Sequence, residues 1–185
     1  TVASLVPTDR YPGLFPVGRL DQDTTGVLLF MTDGELAARL LHPSTHVDKT
    51  YHARVAGRIS PFDVKRLCEG VELDDGMTAP AEVRTLSDFE GRDVCDPSMH
   101  AGDDLVEVVL HEGRKRQVKR MLSYVGHPVF RLNRVSFGPI TAAGLPVGKW
   151  RLLNAAEVEA LRKATETGRY TGTRPGVDPR SLKKS

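Results

Sequence analysis

Cysteine is nearly absent. The 185 residues hold two, Cys68 and Cys95, far apart in the chain. With no C-x-x-C spacing and no cysteine framework, reduced thiols in a cytoplasm are the simplest expectation. Long apolar runs are lacking as well: none approaches the ~20 residues a membrane helix needs, so no membrane partner is expected. The first residues, Thr1 to Asp9, have neither the basic start nor the apolar stretch of a signal peptide. No Met stands at position 1, and a fragment or processed chain is the expectation. Internal repeats are missing too. What remains is ordinary for a globular protein, 39% hydrophobic and 27% charged, and long enough for one sizeable domain or two packed halves.

Charge of one sign is missing from two regions. Between Glu69 and Glu107 there are 12 acids and two bases, Arg84 and Arg92. Between Arg114 and Arg134 there are seven bases and no acid, although the net charge of the whole chain is only +2. Such a basic cluster attracts polyanions and an acidic flank keeps them off other surfaces. The plainer reading is a solvated helix face.

Most of the chain reads as alternating strands and short helices. Segments 17–20 and 27–31 read as strands, the second an unbroken apolar run buried on both faces. Thr32-Asp33-Gly34-Glu35 has the capping-box spacing, and Leu36, Ala37, Leu40 and Leu41 follow at helical spacing until Pro43. His42 and His46 flank that proline, which breaks the helix that would turn both one way, so they are not read as a metal site. Segment 49–55 alternates, with Thr50, His52 and Arg54 on one face and Lys49, Tyr51, Ala53 and Val55 on the other. Tyr51 then packs its ring and leaves its hydroxyl at a polar boundary, or is simply a core aromatic. Ser60-Pro61 opens a helix that runs to about Cys68 and stops at Gly70. Segments 79–86, 105–110, 129–137 and 149–153 read as strands, and the acidic 87–104 as a surface loop or mobile insertion. Asn154 and Glu157 have the spacing to cap a last helix. Residues 168–185 read as a basic, disordered tail or an arm on nucleic acid.

Two stretches carry the chemistry. In Val17-Gly18-Arg19-Leu20-Asp21-Gln22-Asp23-Thr24-Thr25-Gly26, charged residues sit between apolar runs, at the edge of a core. A carboxylate there is either paired or functional. A hairpin-ordering ion pair, with Thr24, Thr25 and Gly26 as turn chemistry, and a catalytic Asp21 fit these residues equally well. In the second stretch, Val118, Met121, Leu122 and Val125 form one apolar helical stripe, and Arg116, Lys119 and Arg120 form a basic face. Arg114 and Lys115 stand at the helix entry, where a phosphate or carboxylate is favoured. An α+β sheet would bring Asp21 next to a cation of this helix.

Taken in order, Gly18-Arg19-Leu20-Asp21, Asp23-Thr24-Thr25-Gly26, Lys49-Thr50-Tyr51, Glu112-Gly113-Arg114, Arg116-Gln117-Val118-Lys119-Arg120-Met121, Gly126-His127-Pro128, Arg131-Leu132 and Arg134 resemble the RsuA/RluB/RluE/RluF-type ribosomal pseudouridine synthases. The resemblance spans roughly residues 15–153. It implies an α+β fold, a mixed and mainly antiparallel sheet flanked by helices, with a cleft across its middle. It implies isomerisation of a uridine in ribosomal RNA to pseudouridine, with no cofactor and no metal, by a cytoplasmic enzyme expected to be a monomer. In that picture Asp21 is the catalytic carboxylate, Tyr51 stacks on the flipped base and helps remove the proton from the rejoining carbon, and Lys119 pairs with Asp21. Arg19, Thr24, Thr25, Arg114, Arg116, Gln117, Arg120, Arg131 and Arg134 are the expected contacts to substrate RNA. Residues 1–167 would form the catalytic domain. Relatives of this type begin with a small S4-like domain and a strand containing Lys-Pro, and neither is in this sequence. Two other readings stand beside this one: a non-catalytic RNA-binding module using 114–134, and a Mg²⁺-dependent nuclease using Asp21 and Asp23.

Overall fold

A computed structural model of the chain describes residues 2–95 and 100–166. Three short strands come first, β1 (Phe15–Val17), β2 (Thr24–Gly26) and β3 (Leu29–Met31), then helix α1 (Gly34–Leu41) and strand β4 (Lys49–Val55). Helix α2 (Pro61–Glu69), a small hairpin of β5 (Glu72–Leu73) and β6 (Gly76–Met77), and strands β7 (Glu82–Leu86) and β8 (Asp104–Leu110) follow. Helix α3 (Gln117–Tyr124), β9 (Val129–Phe137), β10 (Ile140–Thr141) and α4 (Ala155–Glu166) complete the chain. The main sheet runs β10-β9-β4-β8-β7 with antiparallel neighbours, and β2 adds to β9 in parallel. The fold is α+β with a mainly antiparallel sheet, as the resemblance implies.

Side-chain alternation along β4 explains its central place. Ala53 and Val55 face a first core, where Leu67 of α2 and Val118, Met121 and Leu122 of α3 cover the sheet. A second core gathers Val17, Leu29, Leu36, Leu40, Phe137 and Leu161 from β1, β3, α1, β9 and α4. Each fully buried side chain of this size contributes about 2 kcal/mol relative to exposure. Asp33 caps α1 by accepting from Leu36 N–H at 2.9 Å, one residue later than the capping-box spacing suggests. Ser60 caps α2, and Asn154 and Glu157 form the reciprocal box that opens α4.

Three expected elements differ. Segment 17–20 is not a strand: β1 ends at Val17, where Gly18 takes φ +76° and the chain turns into the Asp21 loop. Residues 24–26 are a strand rather than a turn, because β9 supplies hydrogen-bond partners that the local sequence does not reveal. Segment 149–153 forms no strand: Trp150 and Leu152 are exposed and Arg151 turns back to Glu157 at 2.6 Å. The tail expected at 168–185 lies outside the described residues.

The acidic stretch is largely consumed inside the fold. On the sheet face opposite Tyr51, His52 meets Asp93 at 2.7 Å and Glu107 at 3.4 Å, while Arg84 joins Glu107 at 2.9 Å and Glu90 at 2.8 Å. Asn133 donates to Asp93 at 2.6 Å and Val94 is 1% exposed, so residues 87–95 are a surface loop, as expected, but one pinned to the sheet at two points. Burial opposes charge on His52, but its hydrogen bonds to the Asp93 and Glu107 carboxylates prevail and lift it to about 9. A folded value above the ordinary 6.5 means that this stabilisation is complete below that pH and is lost as pH rises through about 9. The denaturation midpoint should therefore fall between pH 7 and 10 more in the wild type than in His52→Gln, measured by urea titration. Equal slopes would show that the cluster adds nothing.

Candidate active site

The Asp21 loop is held from both ends by one arginine. Arg134 on β9 donates from Nε to the Val27 carbonyl at 2.8 Å and from Nη1 to the Arg19 carbonyl at 3.3 Å. The Val27 N–H returns a bond to the Arg134 carbonyl at 2.8 Å. Gly26 sits between them at φ +110°, where an added Cβ would stand 2.2 Å from the Arg134 carbonyl oxygen. No side chain fits there. Within the loop, Thr24 N–H closes a turn on the Asp21 carbonyl at 2.9 Å.

This bracing sets Asp21 at the wall of a cleft of about 450 Å³, between the two hydrophobic cores. Tyr51 lines the same cleft from β4, as do Thr24 and Arg134. Among the described residues the Asp21 carboxylate has no ion pair and no side-chain hydrogen bond. Thr24 Oγ1 is buried without a partner and faces the same cleft. Leu41, Leu110, Val118, Leu132 and Phe137 provide apolar walls. The space fits a flat, partly apolar ring next to a free carboxylate.

Lys119 does not meet Asp21. Its ammonium, on the buried side of α3, pairs with Asp23 at 2.5 Å. The turn at 21–24 sends two carboxylates two residues apart in different directions, and it is the outer one that reaches the helix. Hydrogen bonding from Lys119 holds the Asp23 carboxyl below its ordinary range. Asp23 is thereby committed to loop geometry. Among the described residues no group of three or more His, Cys, Asp or Glu side chains is arranged to hold a metal ion.

The basic rim is partly spent. Arg120 is clamped by Asp74 and Asp75 of the β5–β6 turn, at 2.7 Å from Asp75. Arg114 reaches Asp75 at 3.2 Å, Glu112 at 3.3 Å and the Gly76 carbonyl at 2.9 Å. Gln117 is buried and closes the 112–117 turn, accepting from Arg114 N–H at 3.0 Å and donating to Glu112. Thr25 is turned toward β9 and bonds Asn133 at 3.0 Å. Arg131 is exposed on β9, outside the cleft, and Arg134 is 3% exposed and faces inward. Three cations at the mouth have no ion pair among the described residues: Arg19, Lys115 and Arg116, all exposed. Arg116 takes φ +52° to enter α3 and has no side-chain cap bond. Lys115 belongs with the candidate contacts, a fact that its charge and its place before the helix already suggest.

The Asp74/Asp75 clamp has a measurable consequence. Hydrogen bonding from Arg120 holds the Asp75 carboxyl at about 2, so the clamp persists at any physiological pH. Asp74→Asn with Asp75→Asn should free Arg120 and loosen Arg114, which keeps Glu112 and the Gly76 carbonyl. Affinity for RNA should rise roughly tenfold at low salt, and the slope of log K against log salt should steepen by about 1–2. An unchanged slope in a filter-binding titration would mean that RNA does not approach this side of α3.

One residue in the cleft has no counterpart among those expected from sequence. Lys49 is 6% exposed, shares the cleft with Asp21 and Tyr51, and has Nζ 5.2 Å from the Phe137 ring centroid. Burial, followed by the like charge of Arg134, pushes its ammonium down to about 8. Its presence on the Tyr51 face of β4 was visible in the alternation; its burial was not.

A carboxylate, a tyrosine and exposed cations thus stand around one opening. The chain belongs to the RNA pseudouridylate synthase family, whose pattern matches residues 1–124. It is 44% identical over 151 residues to an uncharacterized RNA pseudouridine synthase of Aquifex aeolicus (strain VF5), a match covering 82% of this chain and 56% of that one. It is 39% identical over 157 residues to ribosomal large subunit pseudouridine synthase B of Bacillus subtilis (strain 168), covering 84% of this chain and 60% of that one. A pseudouridylate synthase known from its crystal structure superposes with a TM-score of 0.75 at 30% identity, over 87% of this chain and 65% of that one. The chain thus spans about three-fifths of the length of these two curated relatives.

Proposed function

We propose that this chain carries the catalytic centre of a cytoplasmic enzyme that converts a uridine of ribosomal RNA to pseudouridine without a cofactor. The observation that carries the reading is the Asp21 carboxylate, unpaired among the described residues and facing the same cleft as Tyr51. An ionised carboxylate with no partner is positioned to react rather than to hold structure. Asp21 attacks C1′ of the flipped nucleoside, or takes the proton of C2′, and the bond from C1′ to N1 breaks. The detached base turns and rejoins through C5. Tyr51 stacks on the ring, and its hydroxyl takes part in removing the C5 proton. Lys119 acts through Asp23, fixing the loop on which Asp21 stands. Arg19, Lys115 and Arg116 hold phosphates at the mouth and offset the few kcal/mol of unstacking the base. The names of the relatives support ribosomal RNA as the substrate.

The test is a map of pseudouridine in ribosomal RNA from cells with and without the gene. One uridine should lose its modification in the deletion and regain it when the gene is restored. An identical map in both strains would overturn the reading.

A further inference from the structure

Two buried cations in the cleft lack a counter-charge. Lys49 and Arg134 are 6% and 3% exposed, and both stand over the ring of Phe137, at 5.2 Å and 5.4 Å. Among the described residues Lys49 Nζ has one hydrogen-bond partner, the Val47 carbonyl at 3.2 Å. Arg134 spends Nε and Nη1 on the loop carbonyls, and its Nη2 is buried with no partner. Among the described residues neither cation forms an ion pair. Asp21 lines the same cleft but lies beyond salt-bridge reach of both. Burying a cation is expensive, and a Leu or Met at position 49 would fill the space over Phe137 without that penalty. Such an arrangement suits a negative charge that the resting protein does not contain.

We infer that Lys49, backed by Arg134, stabilises the negative charge that develops on uracil as its bond to the ribose breaks. The inference rests on the reaction proposed above. When an Asp21 oxygen bonds to C1′, the electron pair of the N1–C1′ bond leaves with the base and spreads over N1, O2 and O4. If Asp21 instead takes the C2′ proton, a C1′=C2′ double bond forms and the same pair leaves with uracil. Either way the base is an anion until C5 bonds to C1′, as the Asp21–C1′ ester bond breaks in the first route or as Asp21 returns its proton to C2′ in the second; C5 then gives up its proton and N1 gains one. A cation already desolvated at the cleft floor stabilises that anion more than it stabilises neutral uridine, which is the condition for acceleration. Lys49 must be charged to act. The groups that set its charge are Arg134 on β9, which opposes it, and Asp48 beside it, which favours it, with Asp21 and Glu112 on the other walls.

The test compares single-turnover rates on the mapped ribosomal stem-loop, carrying uridine or 5-fluorouridine at the target position. Fluorine withdraws electrons and stabilises the departing base by itself. Lys49→Met should slow reaction of uridine at least ~100-fold and breakage of the 5-fluorouridine bond by less than ~10-fold, with RNA affinity unchanged. Lys49→Arg should recover part of the loss; the wild type should lose rate as pH rises through about 8, and the arginine variant, whose guanidinium stays charged, should not. Equal losses on both RNAs, or wild-type rates in Lys49→Met, would overturn the inference. Should Lys49→Met not fold, the pH profiles of wild type and Lys49→Arg decide, and identical profiles reject it. A wild-type protein that forms no pseudouridine on any ribosomal fragment takes down the proposed function itself, whereas an active wild type with insensitive Lys49 variants removes only this role.

Discussion

Asp21→Asn should reduce pseudouridine formation by at least about 10³-fold while leaving RNA binding and melting temperature unchanged. The amide matches the carboxylate in shape but neither attacks C1′ nor accepts a proton. Structural side effects are not expected, because the Asp21 side chain supports nothing else: the loop is held by Arg134, by the Thr24 turn and by the Lys119–Asp23 pair. Release of tritium from RNA labelled at uridine C5 reports the reaction directly. A filter-binding assay at fixed salt separates binding from chemistry. Release at the wild-type rate would remove Asp21 from the reaction and return attention to the basic rim as a binding surface alone.

Gly26→Ala should be the most damaging single methyl group in the protein. Its φ of +110° is strained for any residue with a Cβ, and that Cβ would stand 2.2 Å from the Arg134 carbonyl oxygen and 2.6 Å from its nitrogen. Strain and overpacking together suggest a loss of roughly 3–5 kcal/mol. Both neighbours are backbone, so the β2–β9 pairing must open rather than a side chain rotate. Opening it releases the Asp21 loop, and activity should fall even at temperatures where the chain stays folded. Gly57→Ala is the control: its φ is +72° and nothing lies within 4 Å of the added carbon, so only about 1 kcal/mol is expected. Urea denaturation of the two variants checks the comparison. A Gly26→Ala protein as stable as Gly57→Ala would mean that the β2–β9 contact is looser than described.

What the sequence reveals, and what it hides, divides along a physical line. β4 and β9 have the limits that alternation predicts, and α2 starts where Ser60-Pro61 places it, because caps and periodicity are local. The β2 strand and the β5–β6 hairpin are too short to announce themselves, and β2 also depends on a partner far away in the chain. The same holds for charges. The resemblance implies that Asp21 lies beside a cation of α3, but the turn decides that Lys119 takes Asp23. A run of bases reads as an RNA-binding face until Asp74 and Asp75, some 45 residues away, are seen to occupy part of it. Arg134 reads as one more contact to RNA, and the structure adds that it braces the loop. The family motif marks the positions of these residues without distinguishing those that hold the loop from those left free.

The most direct measurement is a crystal structure of the protein with its ribosomal stem-loop carrying 5-fluorouridine at the mapped position. The base should be turned out of the RNA and lie on Tyr51, with C1′ beside the Asp21 carboxylate and the flanking phosphates near Arg19, Lys115 and Arg116. A base that stays stacked in the RNA, or that enters the cavity of about 900 Å³ lined by His52, Arg84 and Asn133 on the other face of the sheet, would contradict the account.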